Sequence, residues 1–287
     1  MNSLPDESSI QHVSDTALWV AVYRAQESER PDALFRDPLA AKLAGERGFA
    51  IAKGMMDGRY TGWALVIRTV IIDNFILDLV AQGVDTVVNL GAGLDTRPYR
   101  MNLPFDLRWI EVDFPHMIQF KERQLRDEKP KCKLERVALD LSDRPTRQNL
   151  FGQIARSSKR TLILTEGVIP YLEARQVGEL ADDLKAQQFS YWITDYFSPM
   201  VMQRMMRGRR RRQMKNAPFK FAPGDWFGFF AKHGWQRREL RYLGEESQRL
   251  GRPVPMPWWA SVLVFLSRGR LNHESLRFIG YVLLTPG

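Results

Sequence analysis

The chain has 287 residues, of which 44% are hydrophobic and 26% are charged, so its composition is that of a globular protein and excludes disorder as its main state. A formal net charge of +9 favours anionic partners without choosing among nucleic acid, a membrane surface and acidic small molecules. The single cysteine, Cys132, excludes an intramolecular disulfide and a cysteine-rich zinc site.

The N-terminal part of the chain is predicted to be helical. Residues 1–11 are polar and lack the basic and apolar regions of a secretory signal. Helical patterns follow over 16–43, interrupted by a proline turn at 29–33, and over 62–81. No apolar run reaches the ~20 residues that span a membrane. We therefore expect a cytoplasmic protein in which residues 1–83 form a helical extension that covers the ligand site of the following domain.

Strands and helices alternate after residue 84. Helix-length segments, such as 173–187 and 223–233, separate short runs rich in β-branched residues. The predicted strands are 86–90, 107–112, 133–139, 161–165, 191–194, 237–243 and 277–284. This alternation predicts right-handed βαβ units. We expect residues 84–287 to form a Rossmann-like α/β domain with a mostly parallel sheet, an antiparallel C-terminal strand, helices on both faces and a basic insertion near 200–221.

Glycines and acidic residues lie at the ends of the first four predicted strands. Gly91 and Gly93 follow the first strand, and Asp113, Asp140 and Glu166 close the next three. Ligands of open parallel sheets bind beyond the carboxyl ends of the strands. Asp113 lies 20 positions after Gly93, which is the spacing at which Rossmann-type folds place a carboxylate on ribose hydroxyls. The pattern predicts a nucleotide cofactor, although the glycine turn alone also fits a ligand-free turn.

The residues after the glycine turn bear on which nucleotide binds. A dinucleotide fingerprint requires a small residue where Thr96 stands, and its pyrophosphate meets the N-terminus of the next helix. Asp95 precedes that helix, and its carboxylate would repel a pyrophosphate. The expected cofactor therefore has a ribose but no phosphate, which describes S-adenosylmethionine and disfavours NAD.

Several motifs accompany this pattern in a specific combination. They are VVNLGAGLDTRPYR at 87–100, EVDFP at 111–115, TEGVIPYL at 165–172, RAQESE at 24–29 and FRDPL at 35–39. Together these motifs resemble the leucine carboxyl methyltransferase family, which also contains bacterial polyketide O-methyltransferases. The likeness covers roughly residues 14–200 and returns near 223–255. It implies an enzyme of the class I S-adenosylmethionine-dependent methyltransferases.

The resemblance implies five residues at the methionine end of the cofactor. Arg68, together with Arg24, would hold the methionyl carboxylate. Gly91 and Gly93 would lie against the methionine portion, and Glu166 would face its ammonium group. Without a ligand, Arg68 would be an ordinary surface cation on a helix.

The resemblance also implies residues at the adenosine and acceptor ends. Asp113 would take the ribose hydroxyls. Asp140 and Leu141 would lie beside the adenine, with Asp140 near its amino group. Tyr171 would border the methyl-transfer site, where its alternative is an ordinary core position.

The type of acceptor depends on whether a base is present. A carboxylate is ionised at neutral pH, whereas a phenol needs a base. The four histidines, His12, His116, His233 and His273, lie outside the cofactor motifs, and no metal-ligand motif is present. The lack of an obvious base favours a carboxylate acceptor and a methyl ester product. The strand-end carboxylates remain alternative bases for a hydroxyl acceptor.

Two further segments leave alternatives open. The basic run 207–212, followed by Lys215, is a solvated surface, a lid that gathers an anionic acceptor, or a nucleic-acid contact. Trp258 and Trp259 precede a short apolar run that forms a buried helix or pocket wall rather than a membrane anchor. Phe219, like its aromatic neighbours, belongs to the core or to a hydrophobic substrate wall.

Three functions remain at this stage. The first is an O-methyltransferase of secondary metabolism that acts on a carboxylate or hydroxyl of a small, anionic metabolite. The second is a tRNA or RNA methyltransferase, which would bind RNA in a salt-dependent way. The third is a nucleotide-binding protein without catalytic activity.

Overall fold

The computed structural model describes residue 12 and residues 14–54, 58–206, 216–255 and 276–287. Several sequence predictions lie outside these described residues. They concern the basic run 207–212 with Lys215, the pair Trp258 and Trp259, and His273.

Three helices precede the sheet where the sequence predicts helices, but the second extends beyond the predicted end at residue 43 and the third begins before residue 62. They are α1 at Asp15–Ser28, α2 at Ala40–Gly54 and α3 at Gly58–Ala81. Gly45 interrupts α2 with a φ of 55°, a conformation that favours glycine. Among the described residues, no helix is long and apolar enough to cross a membrane.

The sheet has seven strands in the order β3-β2-β1-β4-β5-β7-β6. They are β1 at Thr86–Leu90, β2 at Arg108–Asp113, β3 at Lys133–Ala138, β4 at Thr161–Thr165, β5 at Tyr191–Phe197, β6 at Trp235–Tyr242 and β7 at Ile279–Pro286. Strands β1 to β5 pair in parallel, and β7 runs antiparallel to both β5 and β6. The predicted mixed sheet with an antiparallel C-terminal strand is therefore confirmed.

The remaining helices connect the strands. They are α4 at Arg97–Arg100, α5 at Pro115–Gln124, α6 at Arg144–Ser157, α7 at Ala174–Ala186, α8 at Pro199–Met205, α9 at Trp226–Lys232, α10 at Leu243–Arg249, and a 3-10 turn at Ile169–Tyr171. The strand prediction is wrong at Leu243, which is the first residue of α10. The prediction failed there because a buried leucine is compatible with either a strand or a helix. The prediction for β5 is also too short, because the strand continues to Phe197.

Alternate side chains of the strands point to two hydrophobic layers, as the pleat requires. Val87 faces the layer that α3 covers with Phe75 and its neighbours. Val88 faces the other layer, which α6, α7 and α9 cover with side chains such as Phe151 and Phe230. The sheet is thus covered on both faces, and the carboxyl ends of its parallel strands are left for a ligand.

The start of α6 provides a test of local stability. Asp143 precedes the helix, and its side chain accepts hydrogen bonds from the Thr146 amide at 3.3 Å and the Thr146 hydroxyl at 2.7 Å. We expect Asp143→Ala to lower the free energy of unfolding by about 0.5–2 kcal/mol, since the helix loses its N-cap. Urea unfolding measures this loss. Asp143→Asn keeps a capping oxygen and should lose less, so equal losses in both variants would argue against capping.

Candidate active site

One cavity of about 550 Å³ lies at the carboxyl ends of the parallel strands. This volume is within the range of small-molecule sites, about 300–1,000 Å³. All of the site residues named from the sequence line it. They are Arg24, Arg68, Gly91, Gly93, Asp113, Asp140, Leu141, Glu166 and Tyr171.

The turn after β1 requires glycine at two positions. Gly91 has a φ of 69° and Gly93 a φ of 48°, both in the left-handed region. A Cβ on Gly91 would lie 2.5 Å from Val168 Cγ2, and one on Gly93 would lie 3.2 Å from the Ala17 Cβ. The turn therefore brings bare backbone to the edge of the cavity.

Asp113 closes β2 beside this turn. Its Oδ2 accepts a hydrogen bond from the Gly93 amide at 2.6 Å, and its Oδ1 accepts one from the Phe114 amide at 2.7 Å. Burial raises the pKa of Asp113, while these two amides stabilise its ionised form. Each carboxylate oxygen has a further lone pair for a ligand hydroxyl.

The loop after β3 carries Asp140 and Leu141 to the cavity rim. Asp140 is exposed, and its Oδ1 accepts a hydrogen bond from the Ser142 amide at 2.8 Å. The Leu141 carbonyl accepts a hydrogen bond from Arg147, which is also paired with Asp183 of α7. The helices behind the loop thus fix its position.

Glu166 lies between two guanidinium groups at the end of β4. Its Oε1 is 2.5 Å from Arg68 Nε, and its Oε2 is 2.7 Å from Arg97 Nη1. Burial opposes its charge, but Arg68 and Arg97 outweigh burial and hold the pKa of Glu166 well below its usual range. The cavity therefore presents an ionised carboxylate and a guanidinium side by side.

Arg97, which sequence reasoning missed, connects three acidic residues in this region. Besides Glu166, it contacts Asp73 of α3 at 2.6 Å and Asp95 at 2.8 Å. Its side chain is 3% exposed. It is the first of the two arginines in the LDTRPYR motif, so the motif could have drawn attention to it.

This arrangement also changes the interpretation of Asp95. Its Oδ2 accepts hydrogen bonds from Asn89 Nδ2 and Arg97 Nη1, both at 2.8 Å. Although burial opposes ionisation, Arg97 lowers the pKa of Asp95. The carboxylate is ionised as expected, but its pairing with Arg97 weakens the electrostatic argument against a pyrophosphate.

Arg24 ties α1 to the glycine turn. Its Nε donates to Asp37 Oδ2 at 2.8 Å, and its Nη2 donates to the Leu94 carbonyl at 2.6 Å. Arg24 thus lines the cavity, and two of its side-chain nitrogens are hydrogen-bonded within the protein.

Part of the cavity lining is apolar, and we call this part the acceptor end. Its apolar lining includes Trp19, Leu65, Phe197, Met205, Phe219 and Ile279. Tyr171 also lines it and packs against Phe219, with ring centroids 5.1 Å apart. Phe219 was expected in the core or in a pocket wall, and it lies in the wall of this cavity.

Asp195 and Tyr281 also line the cavity. Asp195 Oδ2 accepts a hydrogen bond from the Gly167 amide at 2.8 Å, and its Oδ1 accepts one from the Tyr281 hydroxyl at 3.0 Å. Burial raises the pKa of Asp195 to about 6. Sequence reasoning missed Asp195 because it ended this strand at Thr194.

The three described histidines lie outside the cavity lining. Ser14 Oγ is 2.9 Å from His116 Nε2, and the His116 ring stacks on Phe114. His233 pairs with Asp182 on the surface. Within the described ranges, no group of three histidine, cysteine or acidic residues could hold a metal ion.

The cavity residues fit S-adenosylmethionine. The bare backbone at Gly91 and Gly93 leaves room that a Cβ would fill, and the buried acceptor Asn89 Oδ1 has no hydrogen-bond partner among the described residues. The paired charges of Glu166 and Arg68 complement an ammonium and a carboxylate. The fold and this cavity define a class I methyltransferase that uses S-adenosylmethionine.

The comparisons with known proteins give the family. The chain matches the leucine carboxyl methyltransferase family over residues 17–185. It belongs to that family, as its motifs indicate. A Streptomyces coelicolor relative, named as an S-adenosyl-L-methionine-dependent methyltransferase, is 34% identical over 83% of this chain and 88% of its own. A Frankia alni relative named in the same way is 30% identical over 88% of this chain and 94% of its own.

Solved structures share the fold at much lower identity. A DUF574-family protein from Streptomyces avermitilis matches with a TM-score of 0.59 and 11% identity, covering 93% of this chain and 97% of its own. A protein from Thermobifida fusca that is named as a methyltransferase matches with a TM-score of 0.58 and 13% identity, covering 97% and 96%. These likenesses concern the fold alone.

Proposed function

We propose that this enzyme transfers a methyl group to an oxygen atom, hydroxyl or carboxylate, of a small molecule. The observation that carries the proposal is the continuity of one cavity, with charged residues at the strand ends and an apolar acceptor end beside them. A cavity of about 550 Å³ suits a small acceptor, whereas a polynucleotide requires an open basic groove with stacking aromatics.

The methionine end of the cofactor would be held by residues around Glu166. Arg68, together with Arg24, would bind the carboxylate, and Glu166 would bind the ammonium. Because Arg68 and Glu166 contact each other at 2.5 Å, they would separate enough to admit a ligand group of opposite charge to each. Gly91 and Gly93 would lie against the methionine chain.

The adenosine end would be held by residues on β2 and the loop after β3. Asp113 would accept hydrogen bonds from the ribose hydroxyls through its remaining lone pairs. Asp140 and Leu141 would border the adenine, with the carboxylate near the exocyclic amino group. Tyr171 would border the acceptor.

S-adenosylmethionine supplies a methyl group on a positively charged sulfur, which is open to in-line attack. The contribution of this chain is alignment of the two reactants and exclusion of water. Arg68 and Glu166 orient the amino acid, while Tyr171 and Phe219 cover the acceptor end with aromatic surface.

Transfer of a labelled methyl group tests the proposal. The purified enzyme is incubated with methyl-labelled S-adenosylmethionine and, separately, with small phenols, small aromatic carboxylic acids and bulk tRNA. We expect label in the small-molecule products and none in tRNA. Label in tRNA would support the RNA alternative. Cofactor binding without transfer to any acceptor would support a non-catalytic nucleotide-binding protein.

A further inference from the structure

Asp195 is a buried carboxylate in the lining of the cavity. It stands on β5 directly opposite Tyr281 of β7, and these residues are 2% and 3% exposed. The Tyr281 hydroxyl donates to Asp195 Oδ1 at 3.0 Å, and the amide of Gly167, the residue after Glu166, donates to Asp195 Oδ2 at 2.8 Å. Asp195 therefore lines the cavity close to Glu166 and Arg68.

Asp195, like Asp113, differs from Glu166 and Asp95 of the same cavity in that its hydrogen-bond donors are uncharged. Glu166 and Asp95 each contact an arginine side chain directly. Among the described residues, Asp195 forms no ion pair, and its hydrogen-bond donors are the uncharged Gly167 amide and Tyr281 hydroxyl. Burial of an unpaired carboxylate costs stability, so such a group at a cavity wall is a candidate for chemistry.

Three neighbouring segments place a charged or titratable group near Asp195. Arg68 on α3 favours its ionised form, whereas Glu166 after β4 opposes it, and Tyr281 on β7 donates a hydrogen bond. Burial dominates and raises the pKa of Asp195 to about 6. The carboxylate is thus ionised above neutral pH and close enough to neutrality to accept a proton.

We propose that Asp195 is the general base of this enzyme and that its acceptor is an aromatic or otherwise apolar hydroxyl compound rather than a carboxylate. The inference rests on the proposed function and selects one of its two acceptor classes. Each Asp195 oxygen has one lone pair beyond its present hydrogen bond, so an acceptor hydroxyl has a place to donate. A carboxylate acceptor would instead bring a second negative charge beside the buried carboxylate of Asp195.

In the proposed reaction, methyl transfer to the acceptor oxygen is accompanied by transfer of the hydroxyl proton to Asp195. The acceptor oxygen bonds to the methyl carbon as the carbon–sulfur bond breaks, and the electron pair of that bond goes to sulfur. The hydroxyl proton passes to Asp195. The products are a methyl ether and the neutral thioether, and Asp195 later returns its proton to water.

The aromatic lining favours a flat apolar body on the acceptor. Tyr171, Phe197 and Phe219 lie together, with centroids 5.1 Å apart for the first and third rings and 6.4 Å apart for the second and third. Rings at such separations present faces and edges for an aromatic ligand. Naphthalene derivatives with a single oxygen substituent are therefore suitable probes.

The first arm of the test measures acceptor binding. Calorimetry at pH 8 compares 2-naphthol, which is neutral, with the 2-naphthoate anion, each titrated into protein saturated with S-adenosylhomocysteine. We expect the wild type to bind 2-naphthol at least about tenfold more tightly than 2-naphthoate, and Asp195→Asn to reduce this preference to below about threefold. Equal binding of both probes by the wild type, or no binding of either, would overturn the proposal.

The second arm measures transfer from the methyl-labelled cofactor to the same probes. We expect an alkali-stable naphthyl ether, and a loss of about 10²–10⁴-fold in kcat for Asp195→Asn. S-adenosylhomocysteine should still bind this variant, because asparagine retains an oxygen for the Gly167 amide. In the wild type, kcat/KM should fall below about pH 6 as Asp195 is protonated, and Asp182→Asn, a surface change, should leave this profile unaltered.

The outcomes separate the two proposals. An alkali-labile methyl ester, or undiminished ether formation by Asp195→Asn, would overturn the role of Asp195 while leaving O-methyl transfer intact. Transfer to neither naphthalene probe would count against the proposed small-molecule activity, and the binding arm would still decide whether Asp195 selects a hydroxyl.

Discussion

Replacing Arg97 by methionine is expected to lower the free energy of unfolding by about 3–5 kcal/mol, the largest effect we predict. The arginine side chain is 3% exposed and contacts Asp73, Asp95 and Glu166 within 2.8 Å. Methionine fills a similar volume, but it removes the positive charge that pairs with these three carboxylates. Guanidinium unfolding at pH 8 measures the loss, and it should be accompanied by weaker binding of S-adenosylhomocysteine.

The matched control is a surface arginine in an ordinary ion pair. Arg175 on α7 is 79% exposed and lies 2.6 Å from Glu179. Arg175→Met should change stability by no more than about 0.5 kcal/mol, because exposed pairs are screened by water. If Arg97→Met also lost less than about 1 kcal/mol, Arg97 would not be the centre of a buried charge network.

Asp195→Asn is expected to stabilise the protein at pH 8 by up to about 3 kcal/mol. Folding raises the pKa of Asp195 from its ordinary value of 3.8 to about 6, because burial disfavours the charge. Between these values the folded state binds more protons than the unfolded state, so wild-type stability falls as the pH rises from about 4 to above 6. Asparagine carries no charge at any of these pH values and removes this dependence.

Unfolding measured from pH 4 to pH 8 checks the sign. The difference between Asp195→Asn and the wild type should be small at pH 4 and should grow as the pH rises through 6. Asp140→Asn, which changes an exposed carboxylate on the cavity rim, is the control. A difference that is constant with pH would show that the ionisation of Asp195 has no cost in the folded protein.

The elements that the sequence predicts best are those with strong local signals. The run 86–90 is β-branched and ends at a glycine turn, and its predicted bounds match β1. The alternation of strands and helices that follows restricts the topology to a parallel sheet. Since the carboxyl ends of such strands share one edge, the glycines and acids at those ends could be placed in one cavity before the fold was known.

Residues whose surroundings come from distant parts of the chain could not be placed in this way. Tyr281 is 86 positions from Asp195, and the two meet because β7 inserts between β5 and β6. Arg97 joins α3, the glycine turn and the end of β4, a contact set that no local pattern contains. Asp195 was missed because the predicted strand ended one residue before it. Strand ends are difficult to predict when the next segment is also apolar.

The central claim is that Asp113 and the glycine turn hold S-adenosylmethionine, and calorimetric titration with S-adenosylhomocysteine tests it most directly. Wild type is compared with Asp113→Ala and with Asp127→Ala, an exposed control, and NADH is titrated in parallel. We expect wild type and control to bind equally, Asp113→Ala to lose about 1.5–3 kcal/mol, roughly ten- to more than a hundredfold in affinity, and NADH not to bind. Failure of the wild type to bind S-adenosylhomocysteine, or equal binding by Asp113→Ala, would contradict the claim.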